Sequence, residues 1–140
     1  MIRGATLLDT NVLSELMRPS PHPSVVRFVD ELDNLFVSAA VFHELAYGAA
    51  LLPDGRRKAR MGGEINTFRA RFETRTVAID AQVATLSGRL RADLKRGGFE
   101  LAPMDALIAA SAISVAARLA TRNVKDFQRL DLELVNPWTN

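Results

Sequence analysis

The sequence predicts an α/β fold in which a mainly parallel sheet lies between two layers of helices. Short apolar runs such as Leu35-Phe36-Val37 alternate with segments whose apolar residues recur every three or four positions, the period of a helix. The chain has 140 residues and no cysteine. We therefore expect one domain over residues 1–140, with a single hydrophobic core and no disulfides.

The N-terminal half is predicted to supply two strands and three helices. Residues 7–9 close the first strand, residues 10–17 form a helix, and a proline-rich connection leads to a second helix that Ser24 is expected to cap. Residues 35–39 form the second strand. This strand runs directly into a helix that carries Glu44 and ends at a Pro-Asp-Gly turn.

The C-terminal half continues the alternation. Residues 56–75 form an arginine-rich helix with a weak point at Gly62-Gly63, and residues 76–79 form the third strand. Asp80 caps the next helix, which Gly97-Gly98 ends. Pro103-Met104-Asp105 opens the most apolar helix, 106–117. A fourth strand spans 118–121, and residues 132–135 form an edge strand.

Acidic residues stand where predicted strands give way to helices: Asp9, Glu44, Asp105 and Asp126. A parallel sheet would bring them to one edge, the edge at which sites lie in open α/β sheets. Clustered carboxylates raise one another's pKa unless a cation keeps them ionised. Oxygen ligands without a Cys or a His pair favour Mg²⁺ or Mn²⁺ over Zn²⁺, and such an ion suits phosphoryl chemistry.

Four segments resemble the motifs of PIN-domain ribonucleases, in the order and spacing of that family. The resemblance is strongest to the VapC toxins of bacterial toxin–antitoxin pairs and their FitB-like branch, and it includes the C-terminal Asn136-Pro137-Trp138. The four segments are Leu8-Asp9-Thr10-Asn11-Val12-Leu13-Ser14-Glu15, Val41-Phe42-His43-Glu44-Leu45-Ala46-Tyr47-Gly48, Met104-Asp105-Ala106-Leu107-Ile108-Ala109-Ala110 and Ala120-Thr121-Arg122-Asn123-Val124-Lys125-Asp126-Phe127.

The resemblance implies a PIN-like three-layer sandwich with the activity of a Mg²⁺- or Mn²⁺-dependent endoribonuclease. Water activated by the cation would cut RNA to leave 5′-phosphate and 3′-hydroxyl ends. Family members are often homodimers, and a cognate antitoxin of the VapB or FitA type holds them inactive. They reach operator DNA only through this antitoxin. The expected location is the cytoplasm, with no contact to membranes.

The resemblance also implies roles for individual residues. Asp9, Glu44 and Asp105 match the three core metal-binding acids of the family. Many members have a further acid where this chain has Asn123, and the nearest carboxylate here is Asp126, three residues on. Either residue could complete the metal site, and both stay candidates.

Two neighbouring residues are expected to support the site. Thr121 offers a hydroxyl close to Asn123 and Asp126, the candidates for the fourth position of the metal site. Asn11 is expected to hold the backbone of the turn between the first strand and the first helix.

Each acid also has a structural interpretation. Asp9 could cap the first helix, Asp105 could complement a helix N-terminus, and Asp126 could belong to a solvated turn. The departure at Asn123 keeps open a second function, that of a catalytically weak PIN-like binding module acting on operator DNA with its antitoxin. A phosphatase of the haloacid-dehalogenase type is disfavoured, because Asn11 stands where that class needs a second Asp.

The basic residues are 15 Arg against only 3 Lys, although the net charge is +2. Arginine suits phosphate and carboxylate groups better than lysine does. The arginine-rich segment 56–75 is therefore either a solvated helix face or a contact for RNA phosphate or for an acidic antitoxin segment. With few aromatic residues in the chain, Tyr47 and Trp138 are expected in the core or an interface, not as platforms for stacked bases.

Overall fold

The computed structural model describes residues 4–140, which form a five-stranded sheet flanked by seven helices. The strands are β1 (Thr6–Leu8), β2 (Leu35–Ser38), β3 (Thr76–Val77), β4 (Arg118–Ala120) and β5 (Leu134–Val135). The helices are α1 (Thr10–Leu16), α2 (Pro23–Asp30), α3 (Ala39–Ala50), α4 (Arg56–Arg71), α5 (Ala81–Arg96), α6 (Pro103–Ser114) and α7 (Val124–Phe127). This confirms the predicted α/β class.

The strands pair in the order β3-β2-β1-β4-β5, and all four pairs are parallel. The connections β1 to β2 and β2 to β3 both run toward the β3 edge of the sheet. The connection from β3 to β4 runs in the opposite direction, past β2 and β1. Because crossovers between parallel strands are right-handed, this reversal places α1 to α4 on one face and α5 to α7 on the other. In such sheets, ligand sites lie beyond the carboxyl ends of the strands at the reversal, here β1 and β4.

Apolar side chains on both faces of the short strands hold the helices against the sheet. Leu7, Leu8, Val37 and Leu119 are fully buried, as two-sided burial of a parallel strand requires. On α4, Met61, Ile65 and Phe68 pack against the core, and the helix continues without interruption through Gly62-Gly63. Within residues 4–140, no helix combines the length and apolar character needed to cross a bilayer.

The start of α2 corrects the prediction that Ser24 caps it. The helix begins at Pro23, whose missing N–H costs nothing at the first helical position. The capping side chain is that of His22, whose Nδ1 accepts a hydrogen bond of 3.1 Å from the Ser24 amide. The Ser24 hydroxyl instead donates to the Pro137 carbonyl at 2.8 Å, which fastens the C-terminal segment to α2.

Several element boundaries also differ from the predicted ones. β3 has two residues, not four, because it pairs only with Val37 and Ser38, after which β2 gives way to α3. α6 begins at Pro103, in the segment predicted to open it, but ends at Ser114 and not at 117, and the chain then turns through Ala116 at φ 53° to enter β4. α4 ends at Arg71 and is followed by a short 3-10 helix over Glu73–Arg75. The predicted cap Asp80 and stop Gly97-Gly98 are confirmed.

Candidate active site

Asp9 occupies the N-cap of α1 and also faces the candidate site. Its Oδ1 accepts a hydrogen bond of 2.7 Å from the Thr10 amide, and its backbone amide donates to the Ala120 carbonyl of β4. The side chain is only 4% exposed. The capping interpretation and the functional interpretation are therefore compatible, because one carboxylate oxygen caps the helix while the other remains for a second partner.

That second oxygen is held by the residues that follow β4. The Thr121 hydroxyl, which is fully buried, donates to Asp9 Oδ2 at 2.7 Å. It also accepts a hydrogen bond of 3.0 Å from the backbone amide of Asn123. The Asn11 amide group lies 3.3 Å from Asp9 Oδ2, and its Oδ1 accepts from the Arg122 backbone. The two strand ends at the reversal are thus joined through hydrogen bonds to one carboxylate.

Glu44 reaches the same place from α3, where it is half-buried. Its Oε1 accepts a hydrogen bond from the Thr10 hydroxyl, which ties the first turn of α1 to α3. Two hydrogen bonds of the buried Ser38 hydroxyl hold the N-terminus of α3. Its oxygen accepts from the Ala40 backbone amide, which caps the helix, and also accepts a 2.8 Å hydrogen bond from Ser111 of α6. This buried pair sets the position of the Glu44 helix relative to the Asp105 helix.

Asp105 lies in the first turn of α6 and is partly buried. Burial raises the pKa of its carboxyl to about 6, helped by the negative charges of Asp9, Glu44 and Asp126. The pKa of Asp9 is also raised. There, burial dominates, hydrogen bonds from Thr121 and Thr10 oppose it, and the charges of Glu44 and Asp126 add to it.

One open cavity of about 880 Å³ collects most of the predicted residues. Asp105 also borders a smaller neighbouring cavity of about 420 Å³, and Asp126 lines that one instead of the larger. Thr121 lies beneath the larger cavity as a support and does not line it. The predicted residues on the wall of the larger cavity are Asp9, Asn11, Glu44, Asp105 and Asn123.

The cavity also has a basic and aromatic part. Arg57 and Arg60 belong to the arginine-rich segment that the sequence analysis left as a solvated face or a phosphate contact, whereas the sequence did not single out Arg18 or Arg122. Trp138 was expected in the core or an interface; it is half-buried and lines the cavity. The additional lining residues are Ser14, Glu15, Met17, Arg18, Pro19, Arg57, Arg60, Met61, Arg122 and Trp138.

The donor set fits a hard divalent cation. The cavity offers carboxylate and amide oxygens, and the pKa of Asp105 is raised first by burial and then by repulsion from the other acids, which a cation would relieve. Within residues 4–140, no three acidic or histidine side chains converge tightly enough to form a complete ligand cage. Mg²⁺ does not need one, because it keeps several waters and is held by one or two carboxylates together with substrate phosphates.

The chain is similar to known proteins over nearly its whole length. The family model described as "PIN domain" matches residues 6–133. The curated protein "Toxin FitB" of Neisseria gonorrhoeae is 36% identical over 135 residues, covering 94% of this chain and 97% of that protein. "VapC ribonuclease Y4jK" of Sinorhizobium fredii is 32% identical over 138 residues, covering 94% and 96%.

Among solved structures, a similar chain occurs in "Structure of FitAB bound to IR36 DNA fragment". The two chains share 34% identity and a TM-score of 0.86, with 95% of each chain covered. The similarity therefore extends over the whole sheet and its helices, including the elements that carry the acids.

Proposed function

We propose that this chain, which belongs to the PIN-domain family, cleaves RNA at the acidic cavity and serves as the toxin of a toxin–antitoxin pair. It belongs with the ribonuclease toxins of the VapC and FitB group, as the names of its relatives indicate. The observation that carries the assignment of the site is that Asp9, Glu44 and Asp105 come from three separate elements and line one cavity. Burial, together with the charges of neighbouring acids, raises the pKa of Asp105 there to about 6.

Mg²⁺ or Mn²⁺ would be held by Asp9, Glu44 and Asp105. When bound, such an ion activates water for attack on a phosphodiester and neutralises the charge that develops there. The chain itself supplies orientation. Thr10 and Thr121 donate hydrogen bonds to carboxylate oxygens of Glu44 and Asp9, respectively, so that the remaining lone pairs point in fixed directions.

We infer that Asn123, and not Asp126, completes the ligand set. Asn123 lines the same cavity as the three acids, whereas Asp126 is exposed on α7 and lines the neighbouring cavity. The amide oxygen of Asn123 can accept a hydrogen bond from bound water or contact the ion directly. Asp126 then acts through its charge, which raises the pKa values of Asp9 and Asp105.

Replacing Asn123 with Ala is expected to lower the rate of RNA cleavage by about 10- to 100-fold, the usual cost of losing a group that supports a metal ligand. Asp126→Asn is expected to change the rate by less, because it removes only a charge at a distance. Single-turnover cleavage rates of the two variants at saturating Mn²⁺ provide the measurement. A larger loss in Asp126→Asn than in Asn123→Ala would reverse the assignment.

The proposal includes a cognate antitoxin of the VapB or FitA type, a homodimer and a cytoplasmic location. Solved neighbours are toxin–antitoxin complexes, and three of them are described as bound to DNA. An exposed apolar pair on α3 supports a partner near the cavity, since Tyr47 and Leu51 are 63% and 68% exposed and follow Glu44 by one and two turns. Operator DNA would be reached through the antitoxin.

The function is tested by incubating purified, antitoxin-free protein with a mixed pool of structured RNAs and sequencing the ends of the products. We expect cuts at a few recurrent sites that bear 5′-phosphate and 3′-hydroxyl groups, because water attacks the phosphorus and the 3′ oxygen leaves. Products with 2′,3′-cyclic phosphates would contradict the mechanism. A folded protein that binds Mn²⁺ and operator DNA with its antitoxin, yet cuts no RNA, would favour the binding-module alternative.

A further inference from the structure

Arg122 lines the cavity, stacks on an aromatic ring there and has no acidic partner among the described residues. Arg18 pairs with Glu15 at 3.2 Å, and Arg60 donates to the Met17 carbonyl at 3.0 Å. Across residues 4–140, no carboxylate lies within ion-pair distance of the Arg122 guanidinium. Its central carbon lies 5.0 Å from the centroid of the Trp138 ring, within the range of a cation–π contact.

The backbone places Arg122 directly beside the acids. It follows Thr121, whose hydroxyl is bonded to Asp9, and its own amide donates to Asn11 Oδ1 at 3.3 Å. Its position is therefore fixed by the same hydrogen bonds that orient Asp9. Arg122 thus shares the cavity wall with the acids.

Trp138 is itself fixed, which makes its ring a support and not a mobile side chain. Its backbone amide donates to Asn136 Oδ1 at 2.9 Å, and its side chain lies close to the buried carboxylate of Glu15. Burial tends to raise the pKa of Glu15, but hydrogen bonds from the His22 amide and Arg18, with a smaller contribution from Trp138, hold that pKa below its ordinary value. The neighbour of the indole is therefore an ionised carboxylate at neutral pH.

We propose that Arg122 binds a phosphate of the RNA strand next to the one that is cut, and that Trp138 positions its guanidinium for this contact. A guanidinium matches two phosphate oxygens with parallel N–H donors, and stacking on a ring leaves those donors free at its edge. The inference rests on the proposed ribonuclease function. It adds a substrate-binding residue and a positioning residue to the acids.

The test measures binding, not cleavage, in an Asp105→Asn parent that leaves the RNA intact. A short fluorescein-labelled single-stranded RNA is titrated by fluorescence anisotropy across a range of salt concentrations. We expect Arg122→Gln to weaken binding about tenfold and to reduce the slope of log affinity against log salt by about 0.7, the value for one phosphate contact on a single strand. Arg122→Lys should restore part of both quantities.

Arg129 provides the matched control. Its guanidinium carbon lies 3.4 Å from the Phe99 ring centroid, so it is also an exposed arginine packed on an aromatic ring, but it does not line the cavity. Arg129→Gln should leave affinity and slope at the parent's values. An equal loss in Arg129→Gln and Arg122→Gln would show a general charge effect and overturn the proposal.

The positioning role of Trp138 is tested in the same assay. Trp138→Leu should weaken RNA binding, and the double variant with Arg122→Gln should bind no worse than Arg122→Gln alone, because both changes remove one contact. Trp138→Phe keeps a ring and should restore most of the affinity. Unchanged binding in a folded Trp138→Leu protein would overturn this part.

Three further outcomes separate this inference from an acidic protein partner and from the function on which it rests. If the wild-type protein cuts RNA but Arg122→Gln binds RNA as the parent does, the phosphate contact is wrong and the ribonuclease function stands. If Arg122→Gln instead loses only the binding of a poly-glutamate peptide, Arg122 serves an acidic protein partner and the proposal is overturned. Absence of cleavage by the wild type, with RNA binding lost in Arg122→Gln, would contradict the ribonuclease function alone.

Discussion

Asp105→Asn is expected to lower RNA cleavage by at least about a hundredfold, because losses of 10- to 100-fold follow removal even of groups that merely support a metal ligand. The substitution keeps the shape of the side chain and removes its charge. The assay is single-turnover cleavage at saturating Mn²⁺, with Asp131→Asn as the control. Asp131 is an exposed aspartate outside both cavities, so its amide variant should cleave at the wild-type rate.

The same variant should be more stable than the wild type when no metal is present. Burial and neighbouring acids raise the pKa of Asp105 to about 6 in the folded protein, so its ionised form disfavours folding. After allowance for solvent screening, we expect an advantage of about 1 kcal/mol for Asp105→Asn at neutral pH. For a chain of this size, that corresponds to about 3 °C in melting temperature.

The stability difference between the wild type and Asp105→Asn is expected to depend on pH. A carboxyl whose pKa is higher in the folded state contributes stability that is fully present below the unfolded pKa and is lost as the pH rises through the folded pKa. The melting temperatures of wild type and Asp105→Asn in EDTA should therefore coincide below about pH 4 and diverge toward pH 7. A difference that is constant across this range would contradict the assigned environment of Asp105.

The second large effect is that of the divalent cation. Mn²⁺ at a hundredfold excess over its dissociation constant is expected to stabilise the folded protein by about 2.7 kcal/mol, or about 8 °C in melting temperature. EDTA should reverse the shift and stop cleavage. Thermal denaturation with and without Mn²⁺ measures the first effect independently of activity.

Variants locate the ion in this experiment. Asp9→Asn and Asp105→Asn should lose most of the Mn²⁺-dependent shift, whereas Asp131→Asn should keep all of it. A wild-type protein whose melting temperature does not respond to Mn²⁺ or Mg²⁺ would refute the proposal that the acids hold a metal ion. An equal shift in all variants would place the ion elsewhere.

The order of elements and the acids at their ends could be predicted from the sequence, because both depend on local patterns. Periodicity identifies strands and helices, and Asp9 and Asp105 follow breaks in that periodicity. Boundaries were less accurate, since they depend on partners distant in the chain. β3 is short because β2 offers it only two partners, and α2 begins at Pro23 because His22 supplies the cap.

By itself, the sequence determined the α/β class, the candidate acids and a motif pattern that the comparisons confirm as that of the PIN-domain family. Only the tertiary structure decided that Asn123 lines the cavity of the three acids while Asp126 lines its neighbour. It likewise brought Arg122 against Trp138. These relations join residues far apart in the chain, and the strand order that creates them is set by packing of the whole sheet.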